Sequence, residues 1–371
     1  MKKIEEICDV IAGQSPPSES YNKIGEGLPF FQGKTDFGDF YPIVRSWCTN
    51  PTKIALPNDI LLSVRAPVGP VNIANQKCCI GRGLSAIRAK TNCDHKFIFY
   101  FFKFYEPLLS NQGSGSTFSA VTQSIVRDIP INLPPLPEQQ RIVALLDKAD
   151  SLRQKRRQAI ALLDEFLKST FLDMFGDPVK NEKGWENKTL CDVGKLDRGK
   201  SKHRPRNAPE LLGGPYPLIQ TGDIANSNGY IKYFKSSYSE VGLKQSKLWP
   251  KGTLCITIAA NIAKTGILTF EACFPDSVVG FVPNSLVNNE YIQMWMSFLQ
   301  KTLEETAPES AQKNINLDIL RKLKIPTPPI SLQNKFAAIV EKTEQAKAKM
   351  KAQLVEMDNN FNGLMAGVFR G

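Results

Sequence analysis

LPPLPEQQRIVALLDKAD, residues 133 to 150, runs three prolines straight into an amphipathic pattern, and PTPPISLQNKFAAIVEKTE, residues 326 to 344, is its blurred copy. Pro134 and Pro328 stand 194 residues apart in a chain of 371, so the sequence reads as a tandem duplication. Proline ends a strand, and its fixed φ suits a first helical turn. Glu138 then puts negative charge near a helix N-terminus, where the macrodipole favours it. No Pro or Gly follows until Gly176, and apolar residues recur at Ile142, Leu145, Ala149, Leu152, Ala159, Leu163 and Phe166, broken at Arg156. A helix of about 38 residues is roughly 57 Å long. The second copy keeps the period with Phe336, Ile339, Thr343, Ala346, Met350, Met357, Phe361 and Leu364.

Neither helix can bury its stripe alone. The simplest solution packs the two as an antiparallel, coiled-coil-like pair with the globular halves at its ends; the alternative packs each on its own domain. The expected fold is α+β, with globular domains over 1–137 and 179–331 and helices over 138–178 and 332–371. The globular halves echo one another: CDVIAG (8–13) and CDVGKL (191–196), LPFFQGKTDF (28–37) and PYPLIQTGDI (215–224), PNDILLSV (57–64) and PKGTLCIT (250–257), TQSIVRDI (122–129) and QKNINLDI (312–319). Short apolar stretches between Pro, Gly and Asn predict strands and turns before residue 137. Phe97 to Leu109 has the length of a buried helix, with a strand left open by its aromatic density.

Composition narrows the partners. A formal charge of +11 points to a polyanion, because Lys and Arg that neutralise phosphates gain from counterion release. Glu5 and Glu6 interrupt any secretory h-region, and the run Phe97 to Tyr105 is broken by Lys103 and far too short for a bilayer span, so a cytosolic protein is expected. Eight cysteines form no C-x-x-C pair and only His95 and His203 are present, so no metal site is expected and the thiols read as small buried apolar groups.

GKLDRGKS, Gly194 to Ser201, satisfies the P-loop pattern, but two prolines in the next eight residues do not open the helix that a phosphate cradle requires. The same stretch reads better as a phosphate-contacting loop carrying Arg198, Lys200, Lys202, His203, Arg204 and Arg206. Polar groups able to reach base edges occur at Lys34, Thr35, Asp36, Arg65 and Arg82, with second-half counterparts at Gln220, Thr221, Asp223 and Lys264. Arg can hold guanine through two hydrogen bonds, Gln can do so with adenine, and Asp can accept from cytosine. For each, a turn group bonded to its own backbone is the competing reading. The loop NQGSGSTFSAVTQ (111–123) offers Ser114, Ser116 and Thr117 to a phosphate, and Gln312 and Lys313 precede the second helix in the same way. G-x-G-x-x-G, H-E-x-x-H, G-x-S-x-G, amino-methyltransferase motifs and nuclease carboxylate pairs are all missing from the sequence, and two histidines leave little for acid-base catalysis.

GSTFSAVTQSIVRDIPINLPPLPEQQRIVALLD (115–147) resembles the junction between a target recognition domain and a helical spacer in specificity subunits of type I restriction-modification systems. The resemblance covers the whole chain, although Leu332, Gln333, Asn334 and Lys335 replace Glu138 to Arg141 in the second copy. It implies a non-catalytic subunit of the prokaryotic cytoplasm that reads a two-part sequence in double-stranded DNA. Its helices would act as a ruler and dock two modification subunits through Glu138, Gln139, Arg141, Ile142, Leu145, Leu152, Leu163, Phe166, Phe336, Ile339, Met350, Met357 and Phe361. Those partners would bring S-adenosylmethionine, and restriction subunits, where present, ATP and magnesium; no cofactor is expected in this chain. The competing readings are a coiled-coil scaffold without sequence-specific DNA binding and, on the GKLDRGKS match, a nucleotide-binding protein.

Overall fold

A computed structural model describes residues 1–112, 120–259, 262–306 and 315–370. Its contacts divide the chain into two compact units, Met1–Gln158 with Lys351–Gly371, and Ala159–Met350. The two long helices run Leu136–Phe175 and Ile330–Phe369, 40 residues each, and each unit takes part of both.

The first unit is built on an antiparallel sheet in the order Cys8–Ala12, Leu84–Ala89, Ile60–Ser63, Val71–Ile73. A second sheet pairs Leu28–Phe31 in parallel with Cys78–Ile80 and is edged by shorter strands. Phe97 to Leu109 lies in the helix His95–Gln112, which settles the helix-or-strand question: a row of residues from Phe97 to Phe102 is buried on all sides, more than one face of a sheet could cover. This aromatic helix, the first sheet, Ile142, Val143 and Leu146 of one long helix and Phe361 and Met365 of the other share one core. The ribbon of Lys2–Lys3 with Pro130–Ile131 ties the start of the unit to the segment that feeds the long helix.

The second unit repeats the plan with Gly194–Arg198, Val278–Pro283, Leu254–Thr257 and Thr265–Leu268, and adds an edge strand, Gly229–Ile231, parallel to the last. Its aromatic helix is Asn289–Thr306, and its core takes Leu167, Phe171 and Phe175 from one long helix and Phe336 and Val340 from the other. In each unit the beginning of one long helix packs against the end of the other, the antiparallel sense expected. Phe171 meets Phe336 with ring centroids 5.5 Å apart.

The strand register corrects all four sequence echoes: Phe30 pairs with Cys79 as Leu218 pairs with Cys273, which puts the second one residue out. Lys2 pairs with Ile131 as Lys188 pairs with Ile325, so Cys191 stands where Glu5 stands rather than Cys8. Cys191 is accordingly exposed, whereas Cys8, Cys48, Cys78, Cys79, Cys255 and Cys273 are buried and Cys93 is partly so. Asn58 and Gly252 donate to equivalent carbonyls, Ala74 and Leu268, which puts the third echo one residue out. Thr122 and Asn316 cap equivalent helices through Ile125 N and Ile319 N, which puts the fourth echo four residues out.

Each long helix is fastened at its start by a glutamine with no exposed surface. Gln139 Oε1 accepts from Asp94 N at 2.8 Å, and its Nε2 donates to Asn92 O and Pro134 O at 3.1 and 2.8 Å. Gln333, 194 residues later, repeats all three bonds with Asn288 N, Leu286 O and Pro328 O at 3.0, 2.9 and 2.8 Å. Further along, Arg153 Nη1 meets Asp150 at 2.5 Å and its Nε meets Asp358 at 2.6 Å. In the second unit Lys347 repeats this with Glu344 and Asp164, at 3.1 and 2.5 Å.

These charged seats displace the apolar stripe from where spacing alone put it. Ile142, Phe336 and Phe361 are buried, and Leu163, Ile339, Met350 and Met357 partly so, but Leu145, Leu152 and Phe166 are 45, 49 and 50% exposed. Val143, Leu146, Asp150, Arg153, Leu167 and Phe171 face inward instead. Arg141 is exposed and Glu138 partly so, and they bond each other at 2.7 Å. Among the described residues no helix is long and apolar enough to cross a membrane.

Gln139→Ala removes a buried amide and leaves the Asp94 N–H and the Asn92 and Pro134 carbonyls without their partner, and we expect it to cost about 3 kcal/mol of stability. Urea unfolding of the full chain measures this; a loss under about 0.5 kcal/mol would show that the amide is not the tie.

Candidate nucleic-acid interface

In the first unit Lys34, Thr35, Arg65 and Arg82 come together around one open concavity of about 550 Å³, with Ser15 and Gln32 beside them. Arg65 leaves the end of strand Ile60–Ser63 on a loop that Ser63 holds from below. The buried Ser63 hydroxyl is within hydrogen-bond reach of the Arg65 and Pro67 carbonyls at 3.1 and 2.8 Å. Arg82 sits on the tight link between Cys78–Ile80 and Leu84–Ala89. Gly83 permits that link, since a Cβ there would lie 2.2 Å from the Gln32 carbonyl oxygen. Arg82 N donates to Ser15 Oγ at 3.4 Å, and the side chains of Lys34, Arg65 and Arg82 are all exposed. Three cations with free rotamers around a polar hollow can meet phosphates or a guanine edge.

Asp36 is used otherwise. Its Oδ2 accepts from Gln32 N at 2.7 Å and from Gly33 N at 3.4 Å, and Asp223 Oδ2 accepts from Gln220 N at 2.9 Å in the second unit. Both carboxylates close the turn that presents the glutamine, which favours the backbone reading of these two acids over base contact. Ser114, Ser116, Thr117, Gln312 and Lys313 lie outside the described residues. The described Ala120 pairs with Arg65.

The second unit carries its charge elsewhere on the same frame. Gly13 N and Gly199 N donate to equivalent carbonyls, Leu84 and Val278, and Gln14 N and Lys200 N to Ile80 and Phe274, so Ser15 matches Ser201. Counting on from Ile80 and Phe274 puts Asp276 at the place of Arg82. Ser63 N and Thr257 N bond to Pro70 O and Lys264 O, so Ala259 replaces Arg65 and Lys264 matches Pro70. The expected equivalence of Lys264 with Arg65 is therefore corrected. Lys264 faces a different cavity and donates to Gln300 Oε1 at 3.2 Å.

In place of the missing arginines, the loop after Gly199 reaches over. Arg206 Nη2 meets Asp276 at 2.7 Å, Arg204 Nη2 lies 3.8 Å from it, and Arg198 Nε donates to its carbonyl at 3.1 Å. Gln245 Oε1 accepts from Lys202 N at 2.6 Å and from His203 N at 3.1 Å, fixing the loop's start. Lys200, Lys202, Arg204, Arg206 and Gln220 are exposed, and His203 and Thr221 partly so. Asp276 and Gln245 were invisible to motif reading; only the register makes Asp276 the partner of Arg82.

The P-loop reading fails on geometry. Gly194–Arg198 is a strand, Gly199 packs so tightly that a Cβ would lie 2.3 Å from two carbonyl oxygens, and the next helical turn is the short Pro209–Leu211. Among the described residues, none of the His, Cys, Asp and Glu groups is arranged to hold a metal.

The model of the type I restriction modification DNA specificity domain matches residues 1–162 and again 182–356. The chain belongs to that family. Its members here include a Methanocaldococcus jannaschii protein named as the MjaX specificity subunit of a type I restriction enzyme, 46% identical over 155 residues. That match covers 42% of this chain and 36% of the relative. The MjaIX specificity subunit of the same organism is 23% identical over 376 residues, covering 92 and 85% of the two chains. The crystal structure of a type I restriction-modification S subunit from M. genitalium superposes with a TM-score of 0.59 at 16% identity, over 99% of this chain and 95% of that one, and so shares the fold. As a specificity subunit, the chain belongs to the recognising and not the catalytic part of a type I restriction-modification system.

Arg65→Ala and Arg82→Ala should each flatten the salt dependence of DNA binding by about one unit of slope, measured by titration from low to moderate salt. Lys200→Ala should do the same and leave no trace in a nucleotide-binding assay; ATP binding lost in that variant would revive the P-loop.

Proposed function

We propose that the two units read the two halves of a bipartite target in double-stranded DNA, the first through Lys34, Arg65 and Arg82 and the second through the loop from Lys200 to Arg206 with Gln220. The observation that carries this reading is the relocation of exposed cations on a repeated frame. A scaffold kept only for its helices has no reason to gather arginines at the loop end of one unit and to rebuild that charge from another loop in its copy. The duplicated backbone provides the same platform, and the divergent side chains provide two addresses.

The two long helices serve as the ruler between the half-sites and as the seat for two modification subunits, which bring S-adenosylmethionine. Leu145, Leu152 and Val355 in the first unit and Leu162 and Phe166 in the second are exposed apolar side chains on these helices, the composition a partner helix would cover. Restriction subunits, where present, add ATP-driven cleavage, and the assembly works in the prokaryotic cytoplasm.

Mapping methylated adenines in host DNA with and without this gene tests the assignment. A two-part motif with a fixed gap should vanish when the gene is removed; an unchanged methylation map would reject the reading. Adding one helical turn to the first long helix should alter the tolerated gap and leave the bases read unchanged.

A further inference from the structure

The first unit contains a filled seat that the second leaves open. Lys103, on the aromatic helix, extends between three rings, with its Nζ 5.7 Å from the Phe40 centroid and 5.5 Å from those of Phe99 and Phe361. The same ammonium lies 3.5 Å from the buried Asp150, which already holds Arg153. Phe40 packs on Phe99 at 5.5 Å, Tyr100 on Phe361 at 6.1 Å, and Arg153 lies over the Phe361 ring at 4.2 Å. The seat is thus a carboxylate with two cations, lined by aromatic carbon.

The helical walls of this seat have equivalents in the second unit, because the aromatic helices His95–Gln112 and Asn289–Thr306 and the long helices all repeat at 194 residues. Glu344 and Lys347 replace Asp150 and Arg153, and their ion pair is kept at 3.1 Å. The filling is not kept. Ser297 stands where Lys103 does, Gln293 where Phe99 does, Met294 where Tyr100 does, and Leu167 where Phe361 does. All four line a cavity of about 410 Å³. Gln293 is turned to the wall, where its Nε2 donates to Gly229 O at 2.7 Å, and the Tyr230 hydroxyl donates to Glu290 at 3.1 Å.

The lining carries three acids, Asp164, Glu290 and Glu344, and three lysines, Lys168, Lys264 and Lys347. Lys347 pairs with Glu344 and Asp164, and Lys264 donates to the neutral amide of Gln300. Lys168 is exposed. Facing the interior, Glu290 and Glu344 stand near the Tyr230 phenol; burial first, and then Glu290, Glu344 and Glu341, push that phenol up. Glu344 thus holds one cation, Lys347, where Asp150 in the first unit holds two, Lys103 and Arg153, and the chain supplies no second one from the Ser297 position.

We propose that this cavity binds a small organic cation, a primary ammonium on an aromatic or branched apolar body, in the space that Lys103, Phe99 and Phe361 fill in the first unit. The volume lies within the roughly 300–1,000 Å³ of small-molecule sites, and Tyr230 and Met294 contribute to its lining. The site stands on the second unit alone and does not depend on how DNA is read.

The test uses the full-length protein and 2-phenylethylamine, followed by calorimetry and ligand-observed NMR. Saturable binding is expected, with 3-phenylpropionate, which reverses the charge, and 3-phenylpropanol, which removes it, at least about tenfold weaker. Ser297→Lys restores the first unit's own cation and should abolish the binding; Gln293→Phe restores its ring and should weaken it by a similar factor, so that a folding failure in one variant leaves the other to decide. No saturable binding, equal affinity for the carboxylate, or undiminished binding in a folded Ser297→Lys protein would each overturn the proposal.

Discussion

Two glutamines with no exposed surface hold the architecture together. Prolines at 134, 135 and 137 provide no N–H of their own, so the carbonyls around the first helix start need donors from elsewhere. Gln139 donates to Pro134 and Asn92, and its oxygen takes the N–H of Asp94, the residue whose carboxylate caps Lys96 N and Phe97 N at the head of the aromatic helix. One side-chain amide therefore joins two helix N-termini at a fixed angle, and Gln333 does the same with Asn288, which caps Tyr291 N. An unmade buried hydrogen bond costs more than a made one gains, so such a joint tolerates little change. The aromatic packing of both cores rests on that angle, since Phe97 to Phe102 and Tyr291 to Met296 belong to helices aimed by these amides.

Against this fixed frame the polar loops have moved freely. Arg82 and Asp276 occupy the same link between strands with opposite charge, and the second unit compensates by bringing Arg204 and Arg206 across from the loop after Gly199. The substitution changes which loop presents the cation. Base edges discriminate through donor and acceptor geometry, so in the proposed function moving the guanidinium from a strand link to a longer loop changes the address without altering the sheet beneath. The interior diverged as well: the Lys103 seat and the cavity at Ser297 share walls and differ in filling.

Much of this was legible in the sequence, and the failures have physical causes. The duplication, the two long helices and the helix at Phe97 to Leu109 follow from proline punctuation and apolar period, because those features act locally. Lys34, Thr35, Arg65 and Arg82 were found as polar loop residues, and they meet because strand ends from both sheets of the first unit converge. The stripe at Leu145, Leu152 and Phe166 was misplaced because the inner positions of the helix pair hold Asp150, Arg153 and Lys347, which an apolar count cannot see. Cys191 was aligned with Cys8 by letter identity, although strand pairing puts it opposite Glu5's place, and Lys264 was matched to Arg65 although hydrogen bonds match it to Pro70. Register is a long-range property, and short stretches of resemblance do not fix it.

The acid–base pairs inside the helix pair bear on how such a molecule avoids misassembly. Two long amphipathic helices with only greasy contacts could slide by a heptad, about 10 Å, and still bury carbon against carbon. Arg153 and Lys347 are 8 and 5% exposed, and a slip would strand each away from Asp358 or Asp164 in a setting where a lone charge is strongly disfavoured. The alignment of the rods is thus written in a few ionic contacts, and a newly made chain has one phase in which to zip them.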